Sequence, residues 1–300
     1  MNEIDVTTLP INKQFSRRLI RPDSWIINCY DPSLAAPHPH IIIGDEKALL
    51  IDPTYTRLPL REYLEQYVTD KEIMVACTHD HHDHTNAAWQ FDDCTIFMSE
   101  FAWNTIQGRR ELSDEEGRWN AGQPHGTFVP TILKPGDTID LGNRIVEVLP
   151  YEGCHSPGSL IYLDHKYGLL FTGDELECGQ ILVGGKRAGN SCVETLRDNV
   201  VRILEGWGDQ IDMVCPPHNG SPFDKHFLDY LVENCERIMD GVEGDPNVGS
   251  MSYLFNPFED RSPEKIKETL EDPDTFRSEW KGTSIVYNRK RIFRKDLNQE

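Results

Sequence analysis

The sequence lacks the features of several large protein classes. Basic residues are scarce, since 30 lysines and arginines stand against 50 aspartates and glutamates and the formal net charge is −20. Such a surface repels phosphate backbones and anionic lipids, so we expect neither a nucleic-acid partner nor a membrane partner. No stretch approaches the roughly 18 consecutive apolar residues of a membrane-spanning helix. A small-molecule substrate is expected instead, and homo-oligomerisation is left open.

The sequence also has no Cys-x-x-Cys motif and no Gly-x-Ser-x-Gly motif. Its eight cysteines are scattered, and its first residues show no basic region followed by an apolar one. We therefore expect reduced, mostly buried thiols and a cytoplasmic location. Cys77 and Cys154 adjoin polar clusters in the sequence, and for them packing is expected rather than chemistry.

Along the sequence, short apolar runs that predict strands alternate with segments whose apolar residues recur at helical spacing. Strands are predicted at 24–29, 40–43, 48–51, 73–77, 145–149, 169–171, 211–215 and 283–293, and helices at 60–68, 193–204 and 227–238. The first 20 residues are expected to form an irregular arm, and 241–282 a peripheral helical segment. We predict a single α/β domain over residues 1–300, with a core of about 24–240 and a C-terminal extension over 241–300.

The richest polar cluster follows directly on the apolar run 73–77. All the residues from His79 to His84 are histidine or aspartate, and such a set is costly to bury unless a cation satisfies it. Imidazole and carboxylate are good ligands of zinc, iron and manganese. In an extended chain His79 and His81 share a face, whereas Asp83 and His84 lie beyond a turn and can face a second ion. The cluster therefore predicts a metal site.

One local cluster supplies too few ligands for a site with two metal ions. Further ligands are expected at the ends of other strands, where three side chains fit. His155 lies in a turn-rich loop, Asp174 at the end of a buried strand, and His218 just past another apolar run. Each alone is weak, but together with the first cluster they complete two coordination shells.

These residues resemble the metallo-β-lactamase superfamily. Its first motif, His-x-His-x-Asp-His, matches residues 79–84, and its later His, Asp and His match His155, Asp174 and His218 in order. The resemblance covers about residues 24–220 and is closest to the glyoxalase II, lactonase and phosphodiesterase-like members. It implies an αββα sandwich, in which two mixed sheets face each other with helices on both outer faces. His82 occupies the variable position of the motif and is not expected to bind metal.

The resemblance also implies a role for each ligand. One ion would be held by His79, His81 and His155, and the second by Asp83, His84 and His218, with Asp174 bridging both. Both ions are expected to be zinc, with iron or manganese as alternatives. Asp52 matches a family aspartate near the site and is expected to support the ligands from behind.

Such a site predicts hydrolysis. Two cations roughly 3.5–4 Å apart can hold a water and lower its pKa from 15.7 toward 7, so that a metal-bridging hydroxide becomes the nucleophile. Asp83 is expected to orient this hydroxide and to pass its proton toward the leaving group, which makes Asp83 the catalytic residue. We therefore predict a binuclear metal-dependent hydrolase of a small-molecule ester, thioester or lactone.

Three other functions fit part of the pattern. A persulfide dioxygenase-like oxidoreductase would use one iron on the same fold, and metal counting with oxygen uptake separates it. A phosphodiesterase or nuclease would need a basic track, which a net charge of −20 does not favour. A catalytically silent scaffold would be expected to have lost some of the ligands.

Substrate contacts are expected from loops. Lys186 and Arg187 lie in a glycine-rich loop after Asp174 and suit an anionic or carboxylate-bearing substrate, although an ordinary solvated loop has the same composition. The aromatic-rich stretch 97–129 predicts either a lid over the site or plain core packing.

Overall fold

The computed structural model describes residues 5–31, 37–110, 126–183, 191–246 and 274–298. The chain separates into two compact units, Met1–Val148 with Tyr162–Tyr167, and Leu149–Ile161 with Gly168–Glu300. Among the described residues, no helix is both long enough and apolar enough to cross a membrane. The single domain over 1–300, with its core and extension, stays a prediction.

A seven-stranded sheet dominates the first unit. Its strands follow one another in chain order across the sheet: β1 (Phe15–Arg21), β2 (Ser24–Cys29), β3 (His40–Ile43), β4 (Lys47–Ile51), β5 (Glu72–Ala76), β6 (Ile96–Met98) and β7 (Thr131–Ile132). Neighbours from β1 to β4 are antiparallel, and those from β4 to β7 are parallel.

The remaining elements of this unit are short. Strands β8 (Thr138–Asp140) and β9 (Ile145–Leu149) pair in antiparallel fashion, and β10 (Ile161–Asp164) comes next along the chain. The helices are α1 (Ile11–Gln14), α2 (Leu60–Tyr67), α3 (His82–Thr85) and α4 (Glu100–Arg110), with 3-10 turns at Val6–Thr8 and Asn86–Phe91.

The two central strands β4 and β5 fix the position of the first polar cluster. Both are buried on both faces, which is why they appear in the sequence as continuous apolar runs. They run parallel with Ile51 opposite Ala76. Asp52 is the next residue after Ile51, and Thr78 lies two residues after Ala76, so both leave the sheet at the same edge.

The second unit contains the remaining strands and the two longest helices. Its strands are β11 (Leu169–Phe171), β12 (Ile181–Val183), β13 (Met213–Cys215), β14 (Phe223–Asp224), β15 (Asp245–Pro246), β16 (Thr275–Trp280) and β17 (Thr283–Asn288). Its helices are α5 (Val193–Trp207) and α6 (His226–Met239), with 3-10 turns at Gly173–Glu175 and Arg294–Asn298.

A parallel strand pair again positions polar residues in this unit. Strands β11 and β13 pair with Phe171 opposite Cys215. Asp174 and His218 each lie three residues beyond these paired ends, so the two side chains leave the same sheet edge. Strands β12, β17, β16 and β15 form a separate four-stranded sheet in that order.

Two predictions about elements are wrong. The first 20 residues are not an irregular arm, because β1 pairs with β2 along most of its length. The described parts of the predicted helical segment 241–282, namely 241–246 and 274–282, contain β15 and β16 and no helix, while 247–273 lies outside the described residues. Phe276 and Ser278 are both buried there, so the burial has the period of a strand.

The predicted mixed α/β class is confirmed. The described sheets combine parallel and antiparallel pairs, and the amphipathic helices α2, α5 and α6 form where helical spacing predicts them. The late strand is confirmed as far as Asn288, where the chain turns.

Candidate metal centre

The His/Asp cluster of the first unit lies in a bend and one helical turn. Strand β5 ends before it, and α3 begins at His82. The ring centroid of His79 lies 4.5 Å from that of His81 and 4.1 Å from that of His84. The Asp83 Oδ2 atom lies 3.6 Å from the His84 Nε2 atom. The structure therefore brings the four predicted ligands of this segment together.

Asp52 holds this cluster from behind. Its Oδ1 atom accepts a hydrogen bond from the Thr78 amide at 2.7 Å, and its Oδ2 atom accepts one from the Thr78 hydroxyl at 2.8 Å. The His84 Nδ1 atom also lies 2.9 Å from Oδ2. Asp52 is buried and has a φ of 52°, a left-handed conformation that aspartate tolerates better than most residues.

These bonds determine which ring nitrogens carry hydrogen. A carboxylate only accepts, so His84 must donate from Nδ1. The single hydrogen of the Thr78 hydroxyl is committed to Asp52, so the His79 Nδ1 atom, 3.0 Å from that hydroxyl, must donate as well. In both rings Nε2 is then the nitrogen with a lone pair, which is the form of imidazole that binds metal ions.

The predicted ligands of the second unit surround one carboxylate. The Asp174 Oδ2 atom lies 3.5 Å from the His155 Nε2 atom, and the Asp174 Oδ1 atom lies 3.6 Å from the His218 Nε2 atom. Each oxygen thus faces a different imidazole. A carboxylate in this position is suited to bridging two cations.

Each unit contributes side chains that could hold a metal ion. They are His79, His81, Asp83 and His84 in the first unit, and His155, Asp174 and His218 in the second. Their donors are those that zinc, iron or manganese accept. The residues present therefore fit a pair of divalent ions, while the role of each ligand stays a prediction.

The other residues singled out in the sequence have different surroundings. Among the described residues, His82 is not one of the candidate metal-binding side chains, and its ring meets that of Tyr55 edge-on. Trp103 and Phe128 pack together in the core of the first unit, which favours packing for the described part of 97–129. Lys186 and Arg187 lie outside the described residues.

The thiols next to the ligands are inert by environment. Burial, and after it the Asp52 carboxylate, raises the pKa of the Cys77 thiol well above its ordinary value. Burial, and after it the Glu175 carboxylate, does the same to the pKa of Cys154. A thiol that stays protonated is a poor nucleophile, so the predicted packing role of both cysteines is supported.

Two residues that contact the ligand segments were missed by sequence reasoning. The Thr78 hydroxyl bonds to both the Asp52 carboxylate and the His79 ring, and it therefore links the two. Glu175 accepts hydrogen bonds from the backbone on both sides of His155. The available signal was a polar residue directly adjoining a ligand within an otherwise apolar stretch.

Comparison with known proteins identifies the family. The family model described as the metallo-beta-lactamase superfamily matches residues 39–218, a range that contains every predicted ligand. The chain therefore belongs to the metallo-β-lactamase superfamily.

Curated relatives of the chain are thioesterases by name. The human protein called acyl-coenzyme A thioesterase MBLAC2 is 30% identical over 165 residues, covering 47% of this chain and 59% of the relative. Its counterpart from Gallus gallus is 26% identical over 164 residues, covering 47% of this chain and 58% of the relative. The chain thus spans less than two thirds of the length of the curated relatives it matches.

Solved structures confirm the predicted fold. A metallo-beta-lactamase from Pontibacter korlensis has a TM-score of 0.55 at 18% identity and covers 73% of this chain and 98% of its own. One from Hirschia baltica has a TM-score of 0.51 at 16% identity and covers 73% of this chain and 96% of its own. At such identities the likeness concerns the fold.

Proposed function

We propose that the chain is a binuclear metal-dependent hydrolase that cleaves a small-molecule thioester, with acyl-coenzyme A as the first substrate class. The observation that carries the proposal is the state of the ligands. The His79 Nδ1–H donates to the Thr78 hydroxyl, and the His84 Nδ1–H donates to the Asp52 carboxylate. Nε2 of each ring therefore remains available to bind a metal ion. The names of the curated relatives direct the choice from ester, thioester or lactone toward the thioester.

The ions would be held by the ligands that the family resemblance implies, His79, His81 and His155 for one and Asp83, His84 and His218 for the other, with Asp174 shared. When bound, they would lower the pKa of a water molecule and polarise the substrate carbonyl. Zinc is the ion we propose, because the donors are mostly imidazole nitrogens. Iron and manganese stay as alternatives that elemental analysis separates.

Asp83 is the residue that we propose moves a proton. Its side chain is 22% exposed, whereas that of His84 beside it is fully buried. Its Oδ2 atom lies 3.6 Å from the His84 Nε2 atom and its Oδ1 atom 3.8 Å from the His82 Nδ1 atom, and the carboxylate would accept the proton of the attacking water. A thiolate leaving group has a pKa near 8.5 and needs little help from an acid, so one carboxylate suffices for proton transfer.

The setting of the reaction is also part of the proposal. None of the eight cysteines, all of which lie in the described part of the chain, forms a disulfide, which supports a reducing compartment such as the cytoplasm.

A free acyl-coenzyme A is a small-molecule partner. Its phosphates are anionic, so Lys186 and Arg187 are proposed as local cations within an acidic protein.

The test is a hydrolysis screen on the purified protein. We expect release of free thiol from acyl-coenzyme A, its loss after dialysis against a chelator, and its recovery when Zn²⁺ is added back. Lactones, β-lactams and phosphodiesters are assayed in parallel. Preferred cleavage of a phosphodiester, or oxygen uptake with about one iron per chain, would replace the thioesterase assignment with one of the alternatives.

Matched variants link the activity to the ligands. His81→Ala removes one ligand, and we expect turnover to be abolished and metal content to fall. His226→Gln changes an exposed histidine that bonds to Asp229 and is not a predicted ligand, and it should leave both largely intact. Unchanged turnover in His81→Ala would refute the assignment.

A further inference from the structure

The segment 174–178 in the second unit contains one predicted ligand, Asp174, and three further polar residues. It begins with Asp174, and Glu175, Glu177 and Cys178 come after it. Asp174, Glu175 and Glu177 are all buried, with 7%, 1% and 6% of their surfaces exposed. Buried carboxylates are costly unless hydrogen bonds compensate them, so the partners of Glu175 and Glu177 indicate why they are there.

Glu175 is bonded to the backbone of the loop that carries His155. Its Oε2 atom accepts from the Cys154 amide at 2.8 Å and from the His155 amide at 3.1 Å, and its Oε1 atom accepts from the Ser156 amide at 3.1 Å. Three consecutive amides therefore point at one carboxylate. The loop is also tight, because a Cβ at Gly153 would lie 1.8 Å from the Ser156 carbonyl oxygen.

Glu177 and Cys178 are bonded to the residue directly after His218. The Glu177 Oε2 atom accepts from the Asn219 side-chain amide at 2.8 Å, and the Cys178 thiol donates to the Asn219 carbonyl oxygen at 3.0 Å. Asn219 has a φ of 57°, in the left-handed region. A Cβ at Gly179 would lie 2.0 Å from the Asn219 Nδ2 atom, so a side chain at 179 would displace the Asn219 carboxamide.

We propose that Glu175 is the positioning residue of His155, and that the Glu177–Asn219 pair positions His218. One five-residue segment would then set all three metal ligands of this unit, because it also contains Asp174. The proposal rests on the proposed function, since a ligand needs positioning only where an ion is bound. The proposal links these residues to different ions. Glu175 would affect the ion that His155 binds, and Asn219 would affect the ion that His218 binds.

The physical reason is geometric. The Nε2 atoms of His155 and His218 lie 3.5 and 3.6 Å from opposite oxygens of Asp174. Glu175 adjoins Asp174, and Asn219 adjoins His218, so a loose contact at either place moves an imidazole relative to the carboxylate. Residues that hold metal ligands in place typically contribute about 10–100-fold to metal affinity.

The experiment titrates metal-free, full-length protein with Co²⁺ and monitors its visible absorption. Wild type is expected to show two binding constants. Glu175→Gln puts an amide NH₂ against backbone amides, so we expect one constant to weaken by roughly 10–100-fold, in the pattern of His155→Ala. Glu175→Asp keeps the charge but loses reach, and we expect it to behave like Glu175→Gln.

A second set of variants tests the other ligand. Asn219→Gly removes the carboxamide without straining the left-handed backbone. We expect it to weaken the other constant, in the pattern of His218→Ala. Glu177→Gln keeps an acceptor oxygen for Asn219 and should stay close to wild type, whereas Glu177→Ala should resemble Asn219→Gly.

A merely structural role would give a different result. Asn234→Ala serves as the control, because Asn234 is also buried in the second unit and bonds to Ser278 and Thr283. It should lower the unfolding temperature of the metal-free protein without separating the two Co²⁺ constants. Circular dichroism checks that each variant folds. If Glu175→Gln does not fold, Asn219→Gly tests the positioning proposal in its place.

The outcomes are distinct. Wild-type constants in Glu175→Gln, Glu175→Asp and Asn219→Gly, or an equal loss of both constants in each, would overturn the positioning roles. Wild-type affinity in Glu175→Asp alone would show that charge rather than hydrogen bonding matters, which also overturns the role of Glu175. Wild type that binds no Co²⁺ would overturn the proposed function, and the positioning roles with it.

Discussion

At the scale of single residues, hydrogen bonds decide which atoms are available for chemistry. Asp52 bonds to Thr78 and His84, and Thr78 in turn bonds to His79. The arrangement orients two imidazoles and fixes their tautomers at the same time. A change at Asp52 should therefore lower the affinity for metal ions, although Asp52 is not a predicted ligand.

The first prediction concerns Asp52→Asn. Asparagine tolerates the left-handed backbone, but its NH₂ group must face either the Thr78 amide or the His84 Nδ1–H. We expect metal affinity to fall on the order of 10–100-fold with the fold retained, as measured by chelator competition. Asp92→Asn is a matched control, because Asp92 bonds to Thr127 and adjoins no predicted ligand. Equal affinities in the two variants would argue against the supporting role.

The second prediction concerns the acid sensitivity of His40, at the start of β3. Burial is the main cause that lowers the pKa of His40 from 6.5 to about 3, and the charges of His38 and Arg18 add to it. Below the unfolded value of 6.5 the unfolded chain binds a proton that the folded chain does not. The free energy of unfolding therefore falls as the pH drops from 6.5 toward 3.

His40→Gln removes this titration. Urea denaturation between pH 7 and pH 4.5 should show a smaller loss of stability on acidification in the variant than in the wild type. The slope is compared rather than the absolute stability, because glutamine changes the packing at every pH. Equal slopes of stability against pH in the two proteins would show that His40 does not contribute to the loss of stability on acidification.

The candidate ligands and the supporting Asp52 could be picked out from the sequence, but Thr78, Glu175 and Asn219 could not. His79, His81, Asp83 and His84 stand together in an unusual run of residue types, and the resemblance added the distant three. Glu175 accepts hydrogen bonds from three consecutive backbone amides, and a backbone hydrogen bond leaves no mark in the sequence of its partner. Asn219 bonds to the side chains of Glu177 and Cys178, which do not themselves indicate this contact in the sequence.

At the scale of elements, pairs of parallel strands deliver the polar residues. Strands β4 and β5 end at one sheet edge of the first unit, and β11 and β13 end at one sheet edge of the second. These strands are apolar and end abruptly in polar residues. The sequence therefore predicts both the strands and the polar positions at their ends.

Strands β1 and β16 could not be predicted for opposite reasons. Strand β1 is an edge strand with most of its residues exposed or half-buried, so it has no apolar alternation. In β16 a buried position is filled by Ser278, whose hydroxyl donates to the Asn234 side chain on α6 at 2.6 Å. A polar residue that is satisfied by a distant asparagine looks exposed in the sequence.

The third prediction concerns strand β17, which lies between β12 and β16 in its sheet. Ile285 is fully buried and pairs with Ile181 on one side and Ser278 on the other. Ile285→Ala should lower the free energy of unfolding by about 2–5 kcal/mol, measured by urea denaturation. Val242→Ala, at a side chain that is 43% exposed, should change it far less. Similar values for the two variants would contradict a core role for this sheet.

At the scale of the whole molecule, family and charge set different limits. The family match ends at residue 218, so α6 and strands β15, β16 and β17 lie beyond it. At a net charge of −20, an anionic substrate would need local cations, and Lys186 and Arg187 are the ones proposed for this role. Substrate choice is therefore the property that the sequence predicts least, because it depends on loops rather than on the ligand motif.

Elemental analysis of the purified chain, combined with thioester hydrolysis before and after chelation, decides whether the chain is a binuclear metal-dependent hydrolase. We predict about two divalent ions per chain, both removed together with the activity and both restored by zinc. A metal-free chain that hydrolyses acyl-coenzyme A at an unchanged rate would contradict the account.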